Sequence, residues 1–244
     1  MEAKDRIIFA ADVDNLEDLE KYLQILSGRI GVVKLGMEIL TMGMIEGIPV
    51  IQTTLDNFAG KIMIDLKFGD IPRTVAGAAK VVARNSAEKR IFGFTIHCSK
   101  GFDMIQKAVL AVREFSPPNY HPLVLGVTVL TSLNDQILKD EVRASGNSQE
   151  LVAHYAALIR GAEAEGIVCS PLETSQVLDV YPGCTVINPG IRFAGSEIQD
   201  QKRVDTPGAA IAASASYVVM GTDLRKGDPV ANAERAAEEI ANAM

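Results

Sequence analysis

The stretch KIMIDLKFGDIPRTV (61–75) contains an apolar strand, a turn and the start of a helix in immediate succession. Its first part, KIMIDLKF (61–68), is mostly apolar, which is typical of a parallel strand whose two faces are both covered. Asp70 follows the strand, and Ile71-Pro72 then leads into a helical pattern. The stretch therefore predicts one β/α unit with charged residues at the point where the strand ends.

The same alternation of strand and helix recurs along the whole chain. Seven further strand-like runs are RIIFAADV (6–13), GVVKLG (31–36), IFGFTIH (91–97), PLVLGVTVL (122–130), GIVCS (166–170), CTVINPGI (184–191) and YVVMG (217–221). Between them lie helical stripes of apolar residues, for example Leu16, Leu19, Leu23 and Leu26, and Leu151, Tyr155, Leu158 and Ala162. Eight β/α units in 244 residues predict an α/β protein with a closed (β/α)₈ TIM barrel and a single domain, 1–244.

Local signals agree with this architecture. A doubly wound open sheet is the competing α/β fold, but no GxGxxG sequence follows the first strand. Thr206-Pro207 and Asp228-Pro229 each have the pattern of an N-cap residue followed by proline in the first helical turn. The longest irregular stretches, 131–148 and 192–205, follow strands, and the loops after strands form the active sites of TIM barrels. We therefore expect functional residues in both stretches.

Composition argues against several classes of partner. The net charge is −7 and the pI is about 5.1, so no overall field attracts nucleic acid or an anionic membrane. No apolar run approaches the roughly 18 residues of a membrane span, and residues 1–6 lead directly into a strand, so neither a span nor a signal peptide is expected. Three widely spaced cysteines, Cys98, Cys169 and Cys184, favour reduced thiols and a cytoplasmic location over disulfides or a zinc site.

Charged residues mark the predicted carboxyl ends of the first three strands. They are Asp12 on the first strand, Lys34 on the second, and Asp65, Lys67 and Asp70 on or after the third. Because side chains alternate along a strand, Asp65 and Lys67 are expected on the same face. Burying isolated charges is costly, so acids and lysines must pair at the mouth of the barrel. Such an array is suited to chemistry on an anion, and a salt-bridge network without chemistry is the alternative interpretation.

The run DLKFGDIP (65–72) resembles the central motif of the orotidine 5′-monophosphate decarboxylase family. Further segments are similar to bacterial members in the expected order: FAADVDN (9–15), VVKLG (32–36), LGVTVLTSL (125–133), GIVCSP (166–171), NPGIR (188–192) and DQKRV (200–204). The resemblance extends over essentially the whole chain. It implies a TIM-barrel carboxy-lyase that converts orotidine 5′-monophosphate (OMP) to uridine 5′-monophosphate (UMP) and CO₂ in de novo pyrimidine biosynthesis, without a metal ion or cofactor.

The resemblance also implies roles for the charged residues. Lys67 would be the catalytic ammonium that stabilises the C6 carbanion and then protonates it, and Asp65 would lie beside the substrate carboxylate. Lys34 and Asp70 would keep the array neutral and aligned. The family residue that matches Asp70 reaches the site of a neighbouring subunit, so a homodimer with shared active sites is implied. The implied substrate-binding residues are Asp12, Lys34, Ile71, Thr74, Thr131, Ser132, Arg192, Gln201, Gly221 and Thr222.

The phosphate end of the implied site contains a departure from the family. Arg192 is the expected main ligand, because a guanidinium can bind phosphate through two hydrogen bonds. Gln201 matches a glutamine of the family's closing loop, and Gly221 ends the eighth strand, where backbone N–H groups can receive phosphate. The family usually has arginine after this glycine, whereas this chain has the uncharged Thr222. Two alternatives stay open: Arg225 supplies the missing charge, or Arg192 holds the phosphate alone.

Two rival functions fit parts of the pattern. The 3-keto-L-gulonate 6-phosphate decarboxylases share Asp-x-Lys-x-x-Asp but use Mg²⁺, with a glutamate ligand where this chain has Lys34; Lys34 therefore favours the metal-free enzyme. A catalytically inactive nucleotide-binding paralogue is suggested by Thr222, although every charged catalytic position is present. Three histidines occur at unrelated positions, and His97, at the end of the fourth strand, is expected to be structural. Gly69 and Arg73 replace the family's common His and Asn, with no clear catalytic loss.

Overall fold

The computed structural model describes residues 1–195 and 205–244, and its strands form a closed parallel barrel. The strands are β1 (Ile7–Ala10), β2 (Val32–Gly36), β3 (Lys61–Phe68), β4 (Ile91–His97), β5 (Leu123–Val127), β6 (Gly166–Val168), β7 (Thr185–Asn188) and β8 (Tyr217–Met220). Each strand pairs with the next along the chain, and β8 pairs with β1, which closes the sheet without a free edge. The predicted (β/α)₈ TIM barrel is confirmed.

Helices follow the strands around the outside of the barrel. They are α1 (Leu16–Leu26), α2 (Met37–Glu46), α3 (Val50–Asn57), α4 (Pro72–Asn85), α5 (Phe102–Phe115), α6 (Asp135–Ile137), α7 (Ser148–Gly161), α8 (Thr174–Val180), α9 (Pro207–Ala212), α10 (Thr222–Arg225) and α11 (Pro229–Ala241). Within the described part of the chain, no helix combines the length and the apolar character that crossing a membrane requires.

Both predicted helix starts are present in the structure. The Thr206 hydroxyl accepts a hydrogen bond from the Ala209 N–H at 3.3 Å, and α9 begins at Pro207. The Asp228 carboxylate accepts one from the Val230 N–H at 2.9 Å at the start of α11. Each side chain satisfies a backbone donor that has no partner inside the helix.

Several predicted strands are too long at their carboxyl ends. The first run ends as a strand at Ala10 instead of 13, the fifth at Val127 instead of 130, the sixth at Val168 instead of 170, and the seventh at Asn188 instead of 191. Apolar residues beyond these ends are buried outside the strands: Val129 is 5% exposed and Ile191 is 2% exposed. Their apolar character therefore reflects packing around the barrel mouth, which a sequence pattern does not distinguish from strand pairing.

The helical stripes were predicted with mixed success. In α1, Leu19, Leu23 and Leu26 are buried, as the stripe predicts. In α7, Val152, Ala156 and Ile159 are buried. Of the predicted stripe, Ala162 is buried at the end of the helix, whereas Leu151, Tyr155 and Leu158 are only partly buried. Apolar residues of α7 occur both in the predicted stripe and in the row of Val152, Ala156 and Ile159. The sequence therefore does not show which of the two rows faces the barrel most directly.

Two apolar layers surround the strands. Inside the barrel, one layer consists of Ile8, Ala10, Val32, Met63, Phe92, Leu125, Ile187 and Val219. A larger layer fills the space between the strands and the helices. At the carboxyl ends of the strands, charged side chains replace the inner apolar layer, and this is where the candidate site lies.

The end of β3 is irregular. Ile64 pairs with Phe94 of β4 and Phe68 pairs with Ile96, so Asp65, Leu66 and Lys67 lie opposite the single residue Thr95. Lys67 has a φ of 47°, in the left-handed region that residues other than glycine rarely adopt. Asp65 and Lys67 still lie on one face, as expected, because both line the barrel mouth and their side chains form an ion pair at 3.0 Å. The bulge, which the sequence does not indicate, interrupts only the regular pairing with β4.

Candidate active site

A cavity of about 290 Å³ opens at the carboxyl ends of the strands. Apolar residues such as Met63, Val127 and Val219 form part of its wall, continuous with the inner layer of the barrel. Its charged lining residues are Asp12, Lys34, Asp65, Lys67, Arg192, Asp223 and Arg225. A concave site with apolar walls and a few convergent charges is the usual form of a small-molecule site.

Four of the predicted residues form a continuous ion-pair array in the cavity. Lys34 Nζ lies 3.1 Å from Asp12 Oδ1 and 3.1 Å from Asp65 Oδ2. Lys67 Nζ lies 3.0 Å from Asp65 Oδ1 and 3.1 Å from Asp65 Oδ2. The four side chains come from β2, β3 and the loop after β1, so closure of the barrel brings them together.

The array keeps Asp65 and Lys34 charged. Burial raises the pKa of the Asp65 carboxyl, but the Lys34 and Lys67 ammonium groups and hydrogen bonds from Lys67 and Thr95 outweigh it, so this pKa lies below its ordinary value. Burial lowers the pKa of Lys34, but the carboxylates of Asp65 and Asp12 outweigh it, so this pKa lies above its ordinary value. An ionised carboxylate and a protonated amine are therefore held together with little access to water.

Thr95 was missed in the sequence analysis. Its hydroxyl donates a hydrogen bond to Asp65 Oδ1 at 2.9 Å and accepts one from the Lys67 backbone N–H at 2.9 Å. Thr95 is 1% exposed and lies in the middle of β4. The signal in the sequence was a hydroxyl residue in the otherwise apolar run IFGFTIH (91–97), two positions before the end of the strand.

Two arginines also line the cavity. The Arg192 N–H donates to the carbonyl oxygen of Asp205 at 2.9 Å, which fixes the backbone after β7. Arg192 Nη1 lies 4.0 Å from Asp223 Oδ1, and Asp223 also accepts a hydrogen bond from the Phe193 N–H at 2.7 Å. Asp223 is buried and was not singled out from the sequence. It orients the segment that carries Arg192.

Arg225 lines the cavity from α10. Its Nη1 donates to the backbone carbonyl oxygen of Asp12 at 2.7 Å. A carbonyl oxygen is a neutral acceptor, so this bond holds the guanidinium in place without neutralising its charge. Gly221 and Thr222 also line the cavity, between β8 and Arg225. Arg225 therefore contributes a positive charge to the cavity lining, which Thr222 does not.

The remaining predicted residues lie in different places. Thr131 lines the cavity, whereas Ser132 is exposed beside it and does not. Asp70, Ile71 and Thr74 are exposed at the start of α4 and do not line this cavity. Gln201, with the rest of DQKRV, lies outside the described residues.

Two other titratable groups lie close to the array. His97 is half-buried at the end of β4, and burial together with the positive charges of Lys67 and Lys100 lowers its pKa. Cys169 lines the cavity, where burial raises the pKa of its thiol, so the thiol is neutral. Cys98, Cys169 and Cys184 are all free and buried. Neutral, buried thiols are poor nucleophiles.

Comparison with known proteins identifies the family of the chain. The model of the "Orotidine 5′-phosphate decarboxylase / HUMPS family" matches residues 5–236. The chain belongs to this family. The orotidine 5′-phosphate decarboxylase of Moorella thermoacetica is 38% identical over 98% of this chain and 94% of its own length. That of Trichlorobacter lovleyi is 36% identical over 98% of this chain and 96% of its own length.

Solved structures of the family have the same fold. The crystal structure of orotidine 5′-phosphate decarboxylase from Lactobacillus acidophilus has a TM-score of 0.81 and 31% identity, and the match covers 97% of this chain and 99% of that one. The Pyrococcus horikoshii enzyme, at 20% identity and a TM-score of 0.70, shows the fold alone. The predicted family, and with it the prediction of an enzyme, is confirmed.

Proposed function

We propose that this protein converts OMP to UMP and CO₂ in de novo pyrimidine biosynthesis, in the cytoplasm, without a metal ion or cofactor. The observation that carries the proposal is the array of Asp12, Lys34, Asp65 and Lys67 in a cavity that Arg192 and Arg225 also line. Relatives that match over nearly their whole length are named orotidine 5′-phosphate decarboxylases. The array and the two arginines suit a nucleotide monophosphate with a carboxylate on its base.

The proposed reaction uses Lys67 twice. When the bond between C6 of the pyrimidine and the carboxylate carbon breaks, its electron pair stays on C6 and CO₂ leaves. The Lys67 ammonium stabilises this negative charge and then transfers a proton from Nζ, so that the new C6–H bond forms and the amine regains a proton from water. Stabilisation of charge where it develops and proton transfer from a positioned acid are both strong contributions to catalysis.

Asp65 and Lys34 support that step in different ways. Asp65 contacts the Lys67 ammonium through both oxygens, which fixes the ammonium before the substrate reacts. In the proposed complex, the substrate carboxylate lies beside Asp65, so loss of CO₂ relieves a repulsion between two anions. Lys34 and Lys67 together balance the charges of Asp12 and Asp65, so the site does not need a further cation to hold its carboxylates.

The composition of the array also bears on the metal-dependent alternative. The Lys34 ammonium lies between Asp12 and Asp65, where a divalent ion bound by these two carboxylates would have to lie. Among residues 1–195 and 205–244, no group of three or more His, Cys, Asp or Glu side chains is arranged to hold a metal ion. A protonated lysine repels such an ion, so the residues present do not fit a Mg²⁺ site here.

For the phosphate, we propose that both arginines contribute. Arg192 is the main ligand, and Arg225 supplies the charge that Thr222 lacks, since both arginines line the cavity. Binding energy from this remote group can organise the site around the reacting carbon. Gly221 and Thr222 offer N–H and hydroxyl donors between the two arginines, and Thr131 faces the pyrimidine from the loop after β5.

We further propose a homodimer with shared active sites. Asp70, Ile71 and Thr74 are exposed at one edge of the barrel mouth, and Ile71 is 58% exposed although it is apolar. In the proposed dimer these residues complete the cavity of the partner subunit. Burial of Ile71 against a second copy also explains why an apolar side chain lies beside the charged Asp70 at the surface.

A decarboxylation assay with the purified protein tests the proposal. OMP is added in the presence of EDTA, and the expected result is release of CO₂ with formation of UMP, identified by mass spectrometry. Turnover that EDTA abolishes and Mg²⁺ restores would establish the metal-dependent alternative. Absence of turnover, with UMP binding detected by calorimetry, would establish a nucleotide-binding protein without this activity.

A further inference from the structure

The hydroxyl of Thr95 joins the two central residues of the array. It donates to Asp65 Oδ1 and accepts from the Lys67 backbone N–H, each at 2.9 Å. The direction of both bonds follows from the chemistry, because an ionised carboxylate has no proton to donate and a backbone N–H cannot accept. The single hydroxyl proton must therefore point at Asp65, and an oxygen lone pair must face Lys67.

The bulge in β3 explains why such a hydroxyl is needed. Asp65, Leu66 and Lys67 lie opposite Thr95 alone, so the backbone of Lys67 cannot continue the regular pairing with β4. A buried N–H without a partner is costly, and the Thr95 side chain takes the place of the missing strand acceptor. The bond also holds Lys67 in a left-handed conformation, with φ at 47°, that costs free energy for a residue with a β-carbon.

We propose that Thr95 is a positioning residue for Lys67. By binding the Asp65 carboxylate and the Lys67 backbone with one hydroxyl, it fixes the Lys67 ammonium against Asp65 before substrate arrives. Thr95 does not line the cavity, so it acts through these two residues and not through contact with substrate. The inference rests on the proposed function, in which Lys67 stabilises and protonates the carbanion.

Two substitutions distinguish the effect of the Thr95 hydroxyl from the effect of the shape of the side chain. Thr95→Val keeps the branched shape but loses the hydroxyl, whereas Thr95→Ser keeps the hydroxyl and loses a methyl group. We expect Thr95→Val to lower kcat about 10- to 100-fold, which is the effect of losing a hydrogen bond to a charged group, while KM changes less than about threefold. Thr95→Ser should keep kcat within about threefold of the parent enzyme.

The matched control is Thr54→Val. Thr54 is also fully buried, and its hydroxyl donates to the Val50 carbonyl oxygen at 2.8 Å within α3, away from the cavity. This variant should lose stability without a change in kcat. Equal kcat values for Thr95→Val and Thr95→Ser, or a Thr95→Val variant that is less stable but has the parent kcat, would overturn the inference.

Crystal structures of the two Thr95 variants give a readout that does not depend on turnover. In Thr95→Val, Lys67 should leave the left-handed region or its Nζ should move away from Asp65, and in Thr95→Ser both should stay in place. If the parent protein does not decarboxylate OMP, the proposed function is refuted. The crystal structures of the two variants then still test whether Thr95 positions Lys67. An unchanged Lys67 in both variants would refute the positioning role whatever the activity.

Discussion

Lys34 Nζ lies 3.1 Å from Asp65 Oδ2, and the side chains of the two residues are only 12% and 10% exposed. The residues come from neighbouring strands, and neither charge could be buried without the other. Asp65 also holds Lys67, so one carboxylate links two ammonium groups. The array is therefore a mutually dependent unit, in which removal of the central charge affects every other member.

The first prediction concerns the stability of this unit. Asp65→Asn keeps the shape of the side chain but leaves Lys34 and Lys67 facing each other without the central carboxylate. We expect it to lower the free energy of unfolding by about 3 kcal/mol, as when one partner of a buried ion pair is removed. Urea denaturation measures this loss, with Asp179→Asn on the exposed surface of α8 as the control. Equal unfolding midpoints for the two variants would contradict it.

The second prediction concerns Lys67 itself. Lys67→Ala should lower kcat for OMP by about 10⁴-fold or more, because both charge stabilisation and proton transfer are lost. UMP binding, measured by calorimetry, should persist, since the phosphate end of the cavity is intact. Lys107→Ala, at an exposed position on α5, provides the control. Near-parent activity of Lys67→Ala would refute the mechanism.

The third prediction concerns the phosphate. Arg225→Ala should raise KM for OMP about 10- to 100-fold, the effect of losing a charged hydrogen bond, and Thr222→Arg in the same chain should restore much of the affinity. Reaction of the nucleoside orotidine, which has no phosphate, should be unaffected by Arg225→Ala. The exposed Arg113→Ala serves as the control. An unchanged KM in Arg225→Ala would mean that Arg192 holds the phosphate alone.

The fourth prediction tests the shared site. Lys67→Ala and Asp70→Ala should each be inactive, but refolding them together should restore about a quarter of the parent activity, because half of the dimers are hybrids with one intact site. A mixture of Lys67→Ala with Asp65→Asn should show no recovery, since both residues belong to the same chain's cavity. If hybrid dimers form but decarboxylase activity does not return, Asp70 does not contribute to the active site of the partner subunit.

The fifth prediction concerns pH. Burial, followed by the charges of Lys67 and Lys100, lowers the pKa of His97, so the unfolded chain binds this proton more readily than the folded one. The free energy of unfolding should therefore fall as the pH drops from above about 6.5, the ordinary pKa of histidine, to the lowered pKa that His97 has in the folded protein. His97→Gln should remove this part of the pH dependence in urea denaturation at pH 7.5, 6.5 and 5.5.

The control for this measurement is His154→Gln, at an exposed position on α7. It should keep the pH dependence of the parent protein. The same pH dependence in His97→Gln as in the parent would show that His97 does not contribute.

Much of the candidate site could be predicted because charged residues stand out in apolar strands. Asp12, Lys34, Asp65 and Lys67 interrupt or end such strands, and the parallel order of a barrel places all strand ends at one mouth. Asp223 could not be found in this way. Its role depends on the loop that follows β7, which is distant in sequence, and an aspartate near the start of a helix is common for other reasons.

The amino-acid sequence alone determined the barrel and the residue types at its mouth, because eight apolar strands that alternate with helices have few other ways to bury both faces. Only the tertiary structure decided how β3 meets β4. The bulge opposite Thr95, the left-handed backbone of Lys67 and the hydroxyl that joins them depend on the register between two strands. A register of this kind arises from contacts between residues about 30 positions apart, which a local pattern does not record.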